Sequence, residues 1–275
     1  ALDPDGTKKW SVAINESVRS AAVVKRGIIS SEEVLYVVTN EQNRLLAIRC
    51  SDGEIKWSTD ISATTHGSAT IGVDGTIYVS GISKLVAVAP DGTIKWSISS
   101  PTGGATTPAI DSQGIIYVAG AGGKIAAIDP DGTVKWEKAV VGADVYASVA
   151  LDREGNIYVA GRSNGVVMKL DNEGNEIWSY STGGGNIVST PSLGPDGSVY
   201  ITDKTKLHRI NGTSGKAIWV YDAGGDLHAS ALVDAEGNAY IPSADGTLYA
   251  VNADGTYRWG IKVDSAMSYP NFAIL

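Results

Sequence analysis

The 275-residue chain has few of the residues that most often mark a chemical site. It has one cysteine, Cys50, and three histidines, so an intrachain disulfide is excluded and a histidine-rich metal site is not expected. Its apolar runs are no longer than a strand, which argues against a membrane span. The 22 basic residues are outnumbered by 30 acidic ones, giving a net charge of −8. Because a nucleic-acid groove requires clustered Lys and Arg, that class of partner is not expected either.

The chain also lacks any helical hydrophobic period long enough to predict a helix. Short segments are instead rich in β-branched and aromatic side chains, as in Ile115 to Ala119, or alternate polar and apolar residues, as in Thr133 to Glu137. This pattern predicts β-strands. Turns such as Asp131-Gly132 separate the segments, because Asp caps its own turn and Gly adopts positive φ.

The tryptophans recur at a nearly constant spacing. The steps between them are 47, 39, 40, 42, 41 and 40 residues. They are Trp10, Trp57, Trp96, Trp136, Trp178, Trp219 and Trp259. A fixed period near forty residues is typical of a repeat architecture. Since each unit contains four predicted strands, lettered A to D, we predict an all-β fold of four-stranded antiparallel β-propeller blades.

The clearest unit resembles a known family. Ala127 to Trp136 reads Ala-Ile-Asp-Pro-Asp-Gly-Thr-Val-Lys-Trp, and Gly114 to Val118 reads Gly-Ile-Ile-Tyr-Val. Together they resemble the PQQ-like β-propeller repeat, and the resemblance covers nearly the whole chain. That repeat is named after the pyrroloquinoline-quinone dehydrogenases. It also occurs in non-enzymatic propellers, including the scaffold lipoprotein of the bacterial outer-membrane β-barrel assembly machinery.

The resemblance implies a structural role for all seven tryptophans. In the family this residue docks between adjacent blades, and its indole N–H binds a backbone acceptor. A large ring that seals a seam needs such a partner when buried.

Counting the units predicts a single domain over residues 1–275. Six complete blades lie within about 18–261, and residues 1–13 with 264–275 form an incomplete seventh blade that lacks strand B and the start of strand C. A six-bladed ring with frayed ends is the alternative. Because an incomplete blade exposes unpaired strand edges, self-association through it is a further expectation.

The enzyme interpretation is disfavoured. Resemblance to quinoprotein dehydrogenases implies a Ca²⁺ site, a catalytic Asp, a Trp floor under the cofactor and commonly adjacent cysteines, whereas every Trp here belongs to the repeat. The Asp-Gly turns also lack the further oxygen ligands of a calcium loop. We therefore expect no catalytic residues, no metal and no cofactor, PQQ with calcium included.

A binding site is predicted where the repeats vary. The D-to-A loops are expected to rim a central channel, on the same face as the B-to-C connections. One position in these loops is occupied by Val18, His66, Ala105, Tyr146, Val188, His228 and Met267. The candidate rim consists of its polar aromatic residues and their polar neighbours, namely His66, Tyr146, His228, Asp144, Asn186 and Asp226.

Two other features have structural interpretations. Two positions after the variable one, nearly every loop has a hydroxyl, which we interpret as satisfying backbone groups at the start of strand A. These residues are Ser20, Ser68, Thr107, Ser148, Thr190, Ser230 and Tyr269. His208, in strand C of the fifth repeat, is predicted to be half-exposed.

The sequence thus favours a non-enzymatic scaffold that binds a protein or peptide through its D-A/B-C loop face, outside the cytoplasm. A small-molecule binder or quinoprotein-like enzyme with a site at the channel mouth is the alternative.

Overall fold

The computed structural model describes residues 1–18, 20–25, 32–65, 67–104, 106–139 and 144–263. These residues form 24 β-strands and one 3₁₀ turn, Ala121–Gly123, which confirms the all-β prediction. In the part of the chain described, no helix could cross a membrane. Two compact units are present: Ala1–Val118 with Ala126–Glu137, and Ala119–Ile125 with Lys138–Leu275.

The first unit contains two complete four-stranded sheets, each running in chain order. Their strands are β1 (Val23–Lys25), β2 (Val34–Val38), β3 (Arg44–Arg49) and β4 (Ile55–Asp60), then β5 (Thr70–Ile71), β6 (Ile77–Ser80), β7 (Lys84–Val88) and β8 (Ile94–Ser99). The boundary between the units passes through a third sheet. Its strands are β9 (Ala109–Ile110), β10 (Ile116–Gly120), β11 (Lys124–Ile128) and β12 (Val134–Ala139).

The second unit contains three further sheets of the same order. Their strands are β13 (Ala150–Leu151), β14 (Ile157–Ala160), β15 (Val166–Leu170) and β16 (Glu176–Ser181); β17 (Ser192–Leu193), β18 (Val199–Asp203), β19 (Lys206–Ile210) and β20 (Ala217–Asp222); and β21 (Leu232–Val233), β22 (Ala239–Pro242), β23 (Thr247–Val251) and β24 (Tyr257–Lys262). We call the six sheets blades one to six. Each is the four-stranded meander of a β-propeller, as predicted.

Burial follows the order of the strands in each blade. The second strand is an apolar run buried on both faces, as in β6 and β10, whereas the fourth alternates exposed and half-buried residues, as in β8. The cores therefore lie between neighbouring blades. In the first unit Val38 and Leu45 pack with Ile77 and Val79. In the second, Val167 and Ile187 pack with Ile201 and others of the fifth blade.

Six described blades agree with the six-bladed alternative, and the seven-bladed count stays a prediction. The C-terminal part of the predicted seventh blade, 264–275, lies outside the described residues. At the other end, Leu2 and Lys8 form an isolated bridge. Val12 and Ile14 then pack against the apolar face of the first blade.

Candidate functional site

The described seams of the first unit share one geometry around the tryptophan. Each indole N–H donates to a backbone carbonyl in the C-D turn of another repeat. The pairs are Trp10 with Cys50 (2.8 Å), Trp57 with Pro90 (3.0 Å) and Trp96 with Pro130 (2.8 Å). The turn glycine lies flat on the ring: a Cβ at Gly92 would be 2.8 Å from the indole of Trp57. Its φ of 91° also favours glycine. The docking role of the tryptophans stays a prediction, and this geometry is what it requires.

The second unit repeats this geometry but adds a cation. Trp178 donates to the carbonyl of Gly212 (3.0 Å), and the ammonium of Lys169 donates to the same oxygen (3.1 Å). Trp219 and Arg209 likewise share the carbonyl of Ala253. These cations are the cross-strand partners of the two tryptophans.

The hydroxyl column has the role predicted for it, which is to satisfy backbone groups. In the first unit the backbone N–H of Ser68 donates to the hydroxyl of Thr107 (2.9 Å). In the second, Ser148 N–H donates to Thr190 (3.2 Å), and Thr190 N–H donates to Ser230 (2.9 Å). Each hydroxyl thus accepts a hydrogen bond from the preceding blade.

The D-A and B-C connections lie together within each unit, and we call the surface they form the loop face. In the first unit, Ile82 N–H in a B-C turn donates to the carbonyl of Thr64 in a D-A loop (2.9 Å). In the second, Ile187 N–H donates to the carbonyl of Arg162 (3.1 Å). Side chains from both kinds of loop therefore reach the same surface.

Two predicted rim residues, Tyr146 and Asn186, meet through Arg162. The guanidinium carbon of Arg162 lies 4.4 Å from the centroid of the Tyr146 ring. Its Nε–H points to Asn186 Oδ1 at 3.5 Å, a long contact. Tyr146 is 60% exposed and Arg162 is half-buried. The arrangement presents an aromatic ring and a cation side by side, a combination suited to protein contacts.

The other predicted rim residues lie apart from this pair or serve the backbone. Asp144 accepts a hydrogen bond from Gly122 N–H (2.8 Å). The carbonyl of Asp226 accepts one from Ala244 (2.8 Å). His228 is half-buried at the entry to the sixth blade, and His66 lies outside the described residues.

Arg162 was missed because the sequence comparison followed the D-A loops alone. It lies in the B-C turn of the fourth blade, directly after Gly161. The corresponding turn residue of the second blade is Ile82, which carries no charge. The charge at this turn position, compared between the repeats, is the sequence signal that identifies Arg162.

The prediction for His208 is wrong. This residue is 2% exposed, because its side chain points into the seam between the fourth and fifth blades. Nδ1 lies 3.0 Å from the hydroxyl of Tyr180. Nε2 lies 3.2 Å from Asp203 Oδ1, although the contact does not have the geometry of a regular hydrogen bond. Asp203 is itself 3% exposed, so these three residues form a buried polar network.

The electrostatics of the network favour a charged carboxylate. Burial raises the pKa of Asp203, but the contacts from His208 and Thr182 outweigh it, so the net pKa lies below its ordinary value.

The described residues contain no group of three side chains suited to a metal ion. The Asp-Gly turns satisfy their own backbone: Asp131 accepts the N–H of Thr133 at 2.9 Å.

The chain matches the family model described as outer membrane protein assembly factor BamB, over residues 1–168 and 163–270. No curated protein matches it. Among solved structures it is similar to BamB from Moraxella catarrhalis, with 15% identity over 96% of this chain and 80% of that one and a TM-score of 0.76.

Two lyase structures are also similar. Virginiamycin B lyase from Staphylococcus aureus is 16% identical over 88% of this chain and 84% of that one, with a TM-score of 0.66. A streptogramin B lyase is 15% identical over 84% and 80%, with a TM-score of 0.63. Identities this low show a shared fold and nothing about shared chemistry.

Proposed function

Because the chain belongs to the family of the outer membrane protein assembly factor BamB, we propose that it is a non-enzymatic scaffold that binds a protein or peptide through its loop face. The family name is that of an assembly factor, and a role in assembly requires protein partners. We extend the same reasoning to location and propose that the protein acts outside the cytoplasm, as an outer-membrane assembly factor must.

The observation that carries the proposed face is the pair formed by the exposed Tyr146 and the half-buried Arg162. Tyrosine and arginine are among the residues that contribute most to binding energy at protein interfaces. Here the guanidinium carbon lies 4.4 Å from the ring centroid, and side chains that already contact each other lose less conformational entropy on binding. Asp144, Asn186, Asp226 and His228, which lie in the same unit as this pair, are also proposed to belong to the face.

The proposal assigns no catalytic residue and no cofactor to the chain. The tryptophans are proposed to dock the blades, and the Asp-Gly turns to close hairpins rather than bind calcium. The seams between blades are proposed to stabilise the fold, which leaves the loops available for recognition.

The test is a chemical cross-linking pull-down from native extract with three baits. One is the wild-type protein, the second carries Tyr146→Ala and Arg162→Ala, and the third carries Tyr257→Ala and Arg258→Ala. The third is a matched control, because Tyr257 is 57% exposed but lies on the outer strand β24. A partner captured by the wild type and the control but lost by the second bait supports the loop face.

Equal capture by all three baits would contradict the proposed face. Capture of nothing by any bait would contradict the scaffold itself. The alternative of a small-molecule site at the channel mouth would then be tested with a ligand screen that includes PQQ with Ca²⁺.

A further inference from the structure

The buried network of the fifth blade lies directly below the proposed binding surface. Asp203 ends strand β18, at a position where the second, third and fourth blades have Gly81, Gly120 and Gly161. A buried carboxylate is costly unless it is paired, so its presence at this one place requires an explanation.

Asp203 is pressed against the loop that enters its own blade. A Cβ added to Gly184 would lie 2.3 Å from Asp203 Oδ2, so the carboxylate closes against the backbone of Gly183–Gly185. The loop admits no side chain at Gly184 while the carboxylate stays there. On the inner side of Asp203, His208 and Tyr180 continue the network into the seam.

The opposite side of the same loop is bound to the turn that carries Arg162. Thr182 N–H donates to the carbonyl of Gly165 (2.9 Å), and Ile187 N–H donates to that of Arg162 (3.1 Å). Asn186, with a φ of 63°, receives the Arg162 guanidinium. The contacts therefore run without a gap from the buried carboxylate through the glycine loop to the half-buried cation of Arg162.

We infer that Asp203, which lies against His208 and through it reaches Tyr180, is a positioning residue that fixes the Gly183–Gly185 loop and thereby sets Arg162 beside Tyr146 for partner binding. This inference rests on the proposed function, because the network positions Arg162 for the partner binding proposed there. The first measurement needs no partner, so a failure of the positioning role can be told apart from a failure of the proposed function.

The experiment is two-dimensional NMR of ¹⁵N-labelled protein, following the Arg162 Nε–H resonance and the amides of Gly183–Asn186. Asp203→Asn keeps the shape of the side chain and removes its charge. We expect it to move these resonances and to weaken capture of the cross-linked partner by about tenfold, as when a contact arginine is misplaced. Ser243→Ala is the matched control: Ser243 Oγ lies under the corresponding loop of the sixth blade, donating to the carbonyl of Asp226. It should leave the Arg162 resonance unchanged.

A second variant covers the case in which Asp203→Asn does not fold. His208→Met introduces the residue that the fourth blade has at the matching position, Met168, and should also move the Arg162 resonance. Unchanged Arg162 and loop resonances in a folded variant would overturn the inference, whatever happens to capture. Resonances that move while capture stays at the wild-type level would overturn the link to binding.

Discussion

The seams of the two units solve the same packing problem with different side chains. In the first unit the cross-strand partners of Trp57 and Trp96 are Ala47 and Ala87, both fully buried. In the second unit the corresponding partners of Trp178 and Trp219 are Lys169 and Arg209. The first kind of seam is apolar and has one hydrogen bond to the turn carbonyl, whereas the second is polar and has two.

The comparison shows that a repeat can keep its docking geometry while its chemistry changes. Each cation lies over a tyrosine ring: Lys169 Nζ is 5.2 Å from the centroid of Tyr158, and Arg209 is 5.5 Å from that of Tyr200. Lys169 is also 3.6 Å from Asp152. A charge is tolerated in these seams because it has several partners at once.

The largest expected effect comes from removing a whole ring. Trp178 is 8% exposed and Trp57 is half-buried. Trp178→Ala should therefore lower the free energy of unfolding by about 3–5 kcal/mol, as for other buried aromatic truncations. Trp57→Ala should lower it by less. Urea denaturation followed by circular dichroism measures both, and an equal or greater loss for Trp57→Ala would contradict the ranking of the seams.

A smaller effect should separate the seam cations from surface cations. Lys169→Met leaves the carbonyl of Gly212 with one donor and Asp152 without its cation, so the free energy of unfolding should fall by about 1–3 kcal/mol. Lys95, in the first unit, pairs with Asp74 at the surface. Lys95→Met should therefore change it by about 0–1 kcal/mol. Urea denaturation measures both losses. Similar losses for the two variants would show that the seam cation contributes no more to stability than a surface cation.

A double-mutant cycle should detect the shared carbonyl directly. Trp178→Phe and Lys169→Met each leave Gly212 O with one donor, and the two together leave it with none. The double variant should therefore lose about 0.5–1.5 kcal/mol more than the sum of the single losses. Trp96→Phe with Lys95→Met should be additive, because Lys95 donates to Thr76 and not to the acceptor of Trp96. Additivity in both cycles would exclude a shared hydrogen bond.

The smallest expected effect is a change in acid sensitivity. Burial raises the pKa of Asp152. Hydrogen bonds from Asn156 and Tyr158 and the charge of Lys169 lower it by more than burial raises it, so the net pKa lies below its ordinary value. Such a group stabilises the fold above its unfolded pKa, near about 3.9, and this contribution is lost as pH falls through the folded value. Asp152→Asn should flatten the decline in the free energy of unfolding below about pH 4. An unchanged slope would show that Asp152 is not ionised preferentially in the folded state.

The fold was predictable because its signals are local and repeated. The Asp-Gly turn and the tryptophan that follows it can be read within one unit, and the steps between tryptophans show that the unit recurs. The contrast between Ala87 and Lys169 could also have been read from the sequence, since both lie at the same place in strand C.

The site was predicted only in part, because its contacts join different repeats. Tyr146 and Asn186 were found from the variable loop position, but the cation that joins them belongs to another kind of turn. His208 was misjudged for the same reason. Its partner Tyr180 is 28 residues away, and without that contact a histidine in a strand gives no sign of being buried.

The hydroxyl links between blades have a consequence for how such a chain can grow. In each link one repeat supplies a backbone N–H and the next supplies a Ser or Thr oxygen, as Ser148, Thr190 and Ser230 do in succession. The donor does not depend on side-chain identity, so any repeat can precede any other. A duplicated or deleted whole repeat brings or removes one donor and one acceptor together, because one residue such as Thr190 supplies both, and it leaves neither unpaired at the new junction. An architecture linked in this way can therefore change length by whole repeats while its seams keep their hydrogen bonds.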